Sequence, residues 1–487
     1  MALKIYNTLH SKKEVFFPLK DNEVRMYVCG VTLYDELHLG HARAAVVFDV
    51  IRNYLEYKGY RVNYVTNFTD VDDKMIQRAK QLGITIFDLA EKFMNEYFNQ
   101  MQRLGVRKAN YYPRATQHIK EIIDLIKLLE KRGFAYCVNG DVFFRVKKFP
   151  NYGKLSHQSL EELFTGARIE VSEKKEQPFD FALWKKAKEG EPSWESPWGK
   201  GRPGWHIECS SMAMKYLGES IDIHGGGRDL VFPHHENEIA QSEAATGKIF
   251  ANFWIHNGLV TMDGEKMAKS TGNFLTLAKA LGKYSGEVIR YFLLSSHYRS
   301  PLNYSENSLK EASSSLNRVY TLLDRINKEI SGATSFKKKI PPKIPPMISK
   351  FEELSNKFIQ AMDDDFNTPA ALSAIFEMVK EANLILEKSI SESSRVTLLE
   401  VSNKIKKLGS ILGLFQGKKE KLNQKTEALL KILIEVRDKL RKKREWDLSD
   451  EIRKKLKNIG IQLELSLIHI SEPTRLLSIS YAVFCLK

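Results

Sequence analysis

The fold is decided by residues 24–69, which read VRMYVCGVTLYDELHLGHARAAVVFDVIRNYLEYKGYRVNYVTNFT. The first seven residues form a β-rich run that ends in Gly30, and a turn-prone loop follows. Apolar residues then recur at helical spacing as far as Gly59. A second β-rich run and the helical run DDKMIQRAKQLG come next. This strand–helix–strand–helix order predicts a parallel βαβ unit in a nucleotide-binding α/β core.

The remaining chain alternates between helical and irregular stretches. Helical patterns cover 85–132, whereas 134–203 is irregular with short strands and predicts an insertion in the core. Four prolines and a lysine run make FKKKIPPKIPPMISK, at 336–350, an interdomain linker. Residues 351–458 are amphipathic and predict helices. The chain therefore divides into an α/β part and a helical C-terminal part.

Composition limits the class of protein. The chain has 487 residues, 43% of them hydrophobic, so we expect about three domains. Four cysteines are too few for a disulfide scaffold, and no run of about 20 apolar residues could span a bilayer. The N-terminus lacks the apolar segment of a secretory signal. These features predict a cytoplasmic protein with no membrane partner.

The net charge is +15, which favours a polyanionic partner, above all nucleic acid. A generally lysine-rich proteome would also explain such an excess. Residues 418–457 hold fifteen Lys and Arg against eight Asp and Glu, however, so about half of the excess lies in a small part of the chain. This location favours a nucleic-acid-binding region near the C-terminus.

The last 23 residues, 465–487, differ from the rest of the chain. Only Glu472, Arg475 and Lys487 are charged there, and the apolar run LLSISYAVFCL is too short to span a bilayer. An edge strand, a membrane-surface tail or sequence foreign to the natural gene would each explain this composition. We favour foreign sequence, from a frame error or from cloning or adaptor sequence.

The motif HLGH, His38 to His41, lies between the first strand and the first helix. A phosphate chain is favoured at a helix N-terminus, where free N–H groups and the helix dipole attract anions. Gly40 lets a nucleotide approach the backbone, and two imidazoles three residues apart can donate hydrogen bonds to phosphate oxygens. Surface histidines on a loop are the plainer interpretation of this motif alone.

A second cationic motif, KMAKS, contains Lys266 and Lys269. Two lysines beside Ser, Thr and Gly can hold the β- and γ-phosphates and stabilise a leaving pyrophosphate. A solvated lysine loop would look the same in isolation. HxGH after the first strand and KMxKS about 230 residues later are, together, the paired motifs of class I aminoacyl-tRNA synthetases, which this chain resembles.

A metal site is predicted from dispersed residues. Cys29 ends the first strand, Cys209 lies in GWHIECSSM, and FPHHENE places His234 and Glu238 four residues apart, on one face of a helix. Two thiols, an imidazole and a carboxylate fit tetrahedral Zn²⁺, and thiolates favour zinc over magnesium. Buried structural cysteines are the alternative. His235 could replace His234 as the imidazole ligand.

Longer motifs narrow the resemblance to the bacterial cysteinyl-tRNA synthetases, over residues 2–464. They are YVCGVTLYDELHLGHAR, NFTDVDDKMIQRA, PRAT, GWHIECSSM, IHGGGRDLVFPHHENEIAQSEA, NGLVTMDGEKMAKS and MDDDFNTPAAL. The resemblance implies zinc ligands at Cys29, Cys209, His234 and Glu238. It implies ATP contacts from His38, Gly40, His41, Asp229, Lys266 and Lys269, of which Lys269 is the main phosphate contact. It also implies a substrate pocket formed by Thr69, Trp205, His224 and Asp229.

The implied activity is cysteine–tRNA ligation, with one Zn²⁺ per chain and Mg²⁺ bound with ATP. The partners would be tRNA(Cys), ATP and L-cysteine, and the chain would act as a monomer. Zinc would bind the substrate thiolate and so reject serine, where size alone yields only about 1–3 kcal/mol per small group. The alternatives are an ATP-dependent cysteine ligase with a non-tRNA amine acceptor, a zinc hydrolase with Glu236 as its base, and a non-catalytic RNA-binding protein.

The resemblance also divides the chain into a Rossmann-type catalytic core with an insertion and an α-helical anticodon-binding region. The parts are the first half of the core at 1–112, the connective insertion at 113–204, the second half with the zinc site at 205–260, the KMSKS-loop and stem-contact region at 261–335, the linker at 336–350, the anticodon-binding region at 351–464 and the atypical tail at 465–487. Within the helical region, RNA contacts are predicted at Arg437, Arg441 and Arg444, and Trp446 could stack on an unpaired base or fill a core.

Two departures from the family pattern stand out. Ala268 replaces the usual serine of the lysine motif, which removes a hydroxyl but keeps both lysines. After GIQLE the chain continues as LSLIHISEPTR instead of an Asp-led segment, which affects the end of the helical region and not the catalytic motifs.

Overall fold

The computed structural model describes residues 2–159, 162, 174–262, 265–266, 275–331, 346–388, 390–417 and 424–458. The strands, numbered in chain order, are β1 Lys4–Asn7, β2 Lys12–Val15, β3 Glu23–Thr32, β4 Arg61–Thr69, β5 Ala135–Val138, β6 Asp141–Phe144, β7 Phe181–Lys186, β8 Gly201–Pro203, β9 Ile221–Gly227, β10 Ala251–Asn257, β11 Val260–Met262, β12 Glu265–Lys266 and β13 Leu302–Tyr304. The α-helices are α1 Leu39–Tyr57, α2 Asp73–Leu82, α3 Ile86–Arg103, α4 Ile119–Lys131, α5 Trp205–Leu217, α6 Glu236–Thr246, α7 Leu277–Lys283, α8 Gly286–Leu294, α9 Glu306–Ser331, α10 Pro346–Asp363, α11 Thr368–Leu386, α12 Glu392–Leu412, α13 Gln424–Lys442 and α14 Trp446–Asn458.

The central sheet is parallel and has the strand order β10-β9-β3-β4. The two central strands are β3 and β9, with Tyr27 beside His224 and Val28 beside Gly225. In chain order, β4 follows on the outer side of β3, and β10 follows on the outer side of β9. The predicted parallel α/β core is confirmed. In such sheets ligands bind beyond the carboxyl ends of the strands where the strand order reverses, here the ends of β3 and β9.

Helices cover both faces of this sheet, as a parallel sheet requires. Side chains alternate along β3, so Met26 and Val28 join the core formed with α1, whereas Tyr27 joins the core formed with α4, α5 and α6. The residues at the carboxyl end of β3 therefore lie between two packed layers.

Two stretches differ from the sequence predictions. The helical pattern of 85–132 is interrupted, because α3 ends at Arg103 and α4 begins at Ile119. Between them, Pro113 and Arg114 of PRAT lie beside β4, with the Phe68 N–H bonded to the Pro113 carbonyl at 2.9 Å, and Ala115–Gln117 form a short 3-10 helix. The irregular stretch contains a regular antiparallel sheet, β5-β6-β7-β8, whose short strands leave little periodicity to detect.

Helices α9 to α12 pack together as a bundle, and α13 packs on α14. The predicted linker is shorter than expected at its C-terminal end, since α10 already begins at Pro346. Proline is tolerated in a first helical turn because its missing N–H would have no helical partner. Residues 336–345 and the tail at 465–487 lie outside the described residues. Among the helices described, none is both long and apolar enough to cross a bilayer.

Candidate active site and metal centre

The site is built around the end of β3, where Cys29 and Gly30 approach β4. The Gly30 N–H donates to the side-chain oxygen of Asn67 at 2.9 Å, and a Cβ at Gly30 would collide with the Asn67 carbonyl oxygen. Only glycine permits this approach. Asn67 also accepts from the Cys209 thiol at 3.7 Å. One amide oxygen thus contacts Cys209 and the backbone next to Cys29.

The four predicted ligands come together. The ligand atoms of Cys29, Cys209, His234 and Glu238 all lie within 4.8 Å of one another. The Cys29 thiol lies 3.2 Å from Glu238 Oε1, and His234 Nε2 lies 3.1 Å from the same oxygen. The end of β3, the helix α5 and the start of α6 thus supply one buried cluster that could hold a divalent metal.

A second set of four atoms also satisfies this distance, formed by Cys29, His224, His235 and Glu238. His235 is already engaged through Nδ1 with His256 Nε2, 2.7 Å away, and its Nε2 lies 4.0 Å from Glu238. The two sets share Cys29 and Glu238, so they describe one metal position with alternative ligands.

The electrostatics of the first set suit a metal. Burial acts to raise the pKa of Glu238, but His224 and His234 lower it to about 2. The hydrogen bond from Cys29 lowers the pKa of Cys209 to about 6 despite burial. Burial acts to lower the pKa of His234, but Glu238 and Cys209 raise it to about 10, so its imidazolium balances these anions until a metal displaces the proton. The cluster therefore stabilises an anionic carboxylate and thiolate, the forms that bind metal.

Further histidines support the cluster from behind. His224 is fully buried, bonds Glu238 Oε2 through Nε2 at 2.9 Å and stacks on Trp254 at 4.4 Å. His206 lies with Nδ1 3.0 Å from His234 Nδ1. The structure thus places His224, predicted in the substrate pocket, against a ligand side chain. His206 and Asn67 were not predicted as site residues, although both lie in quoted motifs.

The buried imidazole of His256 makes stability pH-dependent. Burial, reinforced by His224 and Arg228, lowers its pKa to about 3. The unfolded side chain titrates near 6.5 and binds the proton first, so the free energy of unfolding falls as pH drops below about 6.5. Between pH 7.0 and 5.5 this residue should account for a loss of about 1 kcal/mol.

Urea unfolding of the wild type and of His256→Gln at both pH values tests this assignment. The variant should lose about 1 kcal/mol less than the wild type between pH 7.0 and 5.5. Equal losses in the two proteins would contradict a buried, neutral His256.

The HLGH motif forms the N-terminus of α1. His38 Nδ1 accepts from the Gly40 N–H at 3.0 Å, and His41 Nδ1 accepts from the His38 N–H at 3.2 Å. The two rings stack with centroids 3.7 Å apart. Because both Nδ1 atoms accept, each neutral ring carries its proton on Nε2, where it is a donor.

Both rings are held neutral. Burial lowers the pKa of His38, with Asp229 acting in the opposite direction, and burial together with His38 lowers the pKa of His41 to about 3. Asp229 is exposed and lies close enough to His38 to act on its pKa. At neutral pH the pair can therefore donate hydrogen bonds to an anion without adding charge.

The described residues on either side of the lysine motif show how this motif is attached to the core. Its backbone is described at Lys266, which pairs with Thr261 between β12 and β11. On the C-terminal side of the motif, Thr276 forms a β-bridge with His38, and the Leu277 N–H donates to the Leu37 carbonyl at 2.7 Å. The Lys266 side chain, Lys269 and residues 267–274 lie outside the described residues. The C-terminal flank of the lysine motif is thus tied to the segment around HLGH, and the N-terminal flank is paired with β11.

The remaining pocket residues lie in different surroundings. Trp205 is 39% exposed at the start of α5 and lies 4.5 Å from the His234 ring, so it is not part of a packed core. Thr69 is buried at the end of β4. Trp205 can therefore wall a pocket above the metal cluster, and Thr69 borders the β3–β4 side.

Glu236 has no catalytic setting. It is fully buried, and its carboxylate accepts the backbone N–H groups of Leu155 at 3.1 Å and Ser156 at 2.9 Å. It fixes the insertion to the start of α6. This contradicts its predicted role as the base of a zinc hydrolase.

Comparisons with known proteins identify the family of this chain. The class I (C) tRNA synthetase catalytic domain family matches residues 15–314, and the DALR domain family matches residues 357–416. The cysteine–tRNA ligase of Caldicellulosiruptor saccharolyticus is 52% identical over 458 residues, which are 94% of this chain and 97% of that protein. The cysteine–tRNA ligase of Thermotoga maritima is 50% identical over 463 residues, 95% of this chain and 98% of that protein.

Among solved structures, a methionyl-tRNA synthetase from Mycobacterium tuberculosis in complex with methionyl-adenylate superposes with a TM-score of 0.63. It is 18% identical, and the match covers 80% of this chain and 91% of that chain, so it shows a shared fold alone. The sequence identity over nearly the whole length carries the stronger conclusion. The chain belongs to the cysteine–tRNA ligase family of the class I aminoacyl-tRNA synthetases.

Proposed function

We propose that this protein activates cysteine with ATP and transfers it to the 3′-terminal ribose of tRNA(Cys). The observation that carries the proposal is the buried cluster of Cys29, Cys209, His234 and Glu238 at the end of β3. Its first ligand, Cys29, lies on β3, and the loop after this strand leads directly to the HLGH motif. A thiol-selective metal site beside a phosphate site is what cysteine activation requires.

The cluster fits zinc. Of the two sets of four atoms, the one with His234 contains both thiols, and soft thiolate ligands favour zinc over harder cations. We therefore assign Cys29, Cys209, His234 and Glu238 as the ligands. When bound, zinc would supply a Lewis acid that binds the substrate thiolate. A serine hydroxyl would bind zinc much more weakly than the thiolate. His224 and His206 orient Glu238 and His234.

The first step needs positioning and charge stabilisation, not a protein nucleophile. The cysteine carboxylate oxygen bonds to the α-phosphorus of ATP while the bond to the β-phosphate bridging oxygen breaks, and pyrophosphate leaves. His38 and His41 donate Nε2–H groups to phosphate oxygens at the α1 N-terminus. Lys266 and Lys269 neutralise the leaving pyrophosphate, and Mg²⁺ accompanies ATP. Thr69, Trp205 and Asp229 border the amino-acid and ribose sides.

In the second step a terminal ribose hydroxyl of the tRNA attacks the adenylate carbonyl, and AMP leaves. The helical region would hold the anticodon end of the tRNA. Trp446 is 53% exposed with the Arg441 guanidinium 5.4 Å from its ring, which suits stacking on an unpaired base. Arg437 is 4% exposed, which does not favour it as a phosphate contact.

A cysteine ligase with a small amine acceptor would use the same first step. The helical region argues against it, because the match to cysteine–tRNA ligases extends over 94–95% of this chain. Exchange of pyrophosphate into ATP without any charging of tRNA would favour that alternative.

The decisive experiment is the charging of a total tRNA pool with each of the twenty amino acids, with metal content and mass by light scattering measured on the same sample. We expect cysteine alone to be attached, one zinc per chain and a monomer. Discrimination against serine should reach roughly 10⁴-fold, the range found when a site requires a specific substrate interaction. Active protein without metal, or equal use of serine, would contradict the proposal.

A further inference from the structure

Helix α10 ends at Asp363, the first of three consecutive aspartates in the motif MDDDFNTP, and the proposed reaction gives these aspartates no role. Asp365 is fully buried. Its Oδ1 accepts from the Tyr6 N–H at 2.8 Å and from the Tyr298 hydroxyl at 2.7 Å, and its Oδ2 accepts from Arg299 Nε at 2.7 Å. One carboxylate of the helical region thus binds the first strand and the loop after α8.

Asp363 makes an equivalent attachment to a different element. It is 3% exposed and accepts from the Tyr54 hydroxyl at 2.7 Å and from Lys58 Nζ at 3.0 Å. Tyr54 belongs to α1, the helix that begins with HLGH, and Lys58 caps that helix. The two buried aspartates, here called the acidic junction, hold the helical region to two separate parts of the catalytic core.

The intervening residue behaves differently. Asp364 has a side chain that is 54% exposed, and it pairs only at the surface with Lys13 Nζ, 2.6 Å away. The backbone turns sharply after it, because Asp365 and Phe366 adopt φ values of 63° and 53°. Two successive L-residues in the left-handed region persist only where the surrounding contacts enforce them. The turn is therefore held by the contacts of Asp365.

The loop that receives Asp365 also contacts the ATP end of the core. The Arg43 guanidinium, fully buried in α1, donates to the carbonyl oxygens of His297 at 3.1 Å and Ser300 at 2.6 Å. It also donates to those of Gly258 and Leu259, just before β11. The acidic junction and the segments that flank the lysine motif are thus attached to one rigid helix.

We propose that the acidic junction, Asp363 and Asp365, fixes the angle between the helical region and the catalytic core, and so positions a full-length tRNA for transfer without acting in adenylate formation. This inference rests on the proposed function, since it assumes that the helical region holds the distal end of the tRNA. An RNA bound at two separated points needs a fixed spacing between them, and these buried carboxylates set that spacing.

The test compares three reactions of the full-length, zinc-loaded enzyme. They are cysteine-dependent exchange of pyrophosphate into ATP, charging of full-length tRNA(Cys), and charging of an acceptor-stem minihelix that lacks the anticodon arm. For Asp365→Asn we expect exchange and minihelix charging within twofold of the wild type. The kcat/KM for full-length tRNA should fall at least tenfold, mainly through a higher KM.

Asp364→Asn is the matched control, because it makes the same substitution at the exposed neighbour. All three of its reactions should stay within twofold of the wild type. The proposal is overturned if Asp365→Asn lowers exchange or minihelix charging as much as full-length charging. It is also overturned if full-length charging does not change.

Should Asp365→Asn fail to fold, as judged by its thermal unfolding, Tyr298→Phe replaces it, since this removes a single hydroxyl donor from Asp365. It should lower full-length charging about threefold and leave the other two reactions unchanged, and no change in full-length charging would overturn the proposal. The wild-type reactions test the proposed function separately. A wild type that exchanges pyrophosphate but charges no tRNA refutes the function, whereas the ratio of variant to wild type tests the junction.

Discussion

Replacing Cys209 with serine should remove the metal and lower cysteine-dependent exchange of pyrophosphate into ATP by at least about 100-fold. The thiol is fully buried and lies within 4.8 Å of three other ligand atoms. Its pKa of about 6 makes it a thiolate at neutral pH, whereas a serine hydroxyl stays protonated and binds zinc poorly. Metal analysis and exchange kinetics on the same preparation measure both effects.

Cys137→Ser is the matched control, because Cys137 is exposed on β5 in the insertion, away from the cluster. It should keep its zinc and its exchange activity. Binding of tRNA should be nearly unchanged in both variants, since the helical region is intact. Unchanged zinc content and exchange in Cys209→Ser would refute the metal assignment.

Replacing Arg290 with methionine should lower the free energy of unfolding by about 3–5 kcal/mol, because it leaves a buried carboxylate without its partner. Arg290 is fully buried and forms an ion pair with Asp49 of α1. Its Nε donates to the Leu412 carbonyl at 2.6 Å, and its Nη1 donates to the Gly105 carbonyl at 3.1 Å. The substitution therefore leaves carbonyl groups unsatisfied and removes the guanidinium from Asp49 Oδ2, while the Arg107 N–H stays bonded to Asp49 Oδ1.

Arg395→Met provides the comparison, since Arg395 pairs with Glu329 at 2.9 Å but both side chains are about 30% exposed. Ion pairs of this kind contribute about 0–1 kcal/mol, so the expected loss is small. Denaturant unfolding of both variants separates the two cases. Similar losses in the two variants would show that the buried pair does not hold α1, α8 and the end of α12 together.

The predictions from sequence succeeded where a short segment carries its own physical signal. The strand–loop–helix at 24–59 has a β-rich run, a turn and a 3.6-residue period, and the structure has β3 and α1 there. The prediction for HLGH depends only on the position of this motif before a helix, because the helix N-terminus supplies the anion-binding groups. His234 and Glu238 could be paired because a spacing of four residues places both on one face of a helix.

Other features had no local signal. The antiparallel sheet of the insertion has strands of three to six residues, too short to establish a period. Nothing in the sequence distinguishes His224, which bonds Glu238, from a residue that contacts substrate. Asn67 and His206 act through distant partners, so their roles depend on which strands and helices become neighbours.

The sequence by itself determined the parallel α/β core and the helical C-terminal part, and it located HLGH and KMAKS as candidate phosphate-binding motifs. Each of these depends on periodicity or on residues close together in the chain. Only the tertiary structure decided how closely the ligand atoms of Cys29 and Cys209, 180 residues apart, approach one another, that Glu236 is structural, and that Asp363 and Asp365 join the two parts of the chain. These arrangements depend on long-range packing and burial, which arise only when the sheet and its helices assemble.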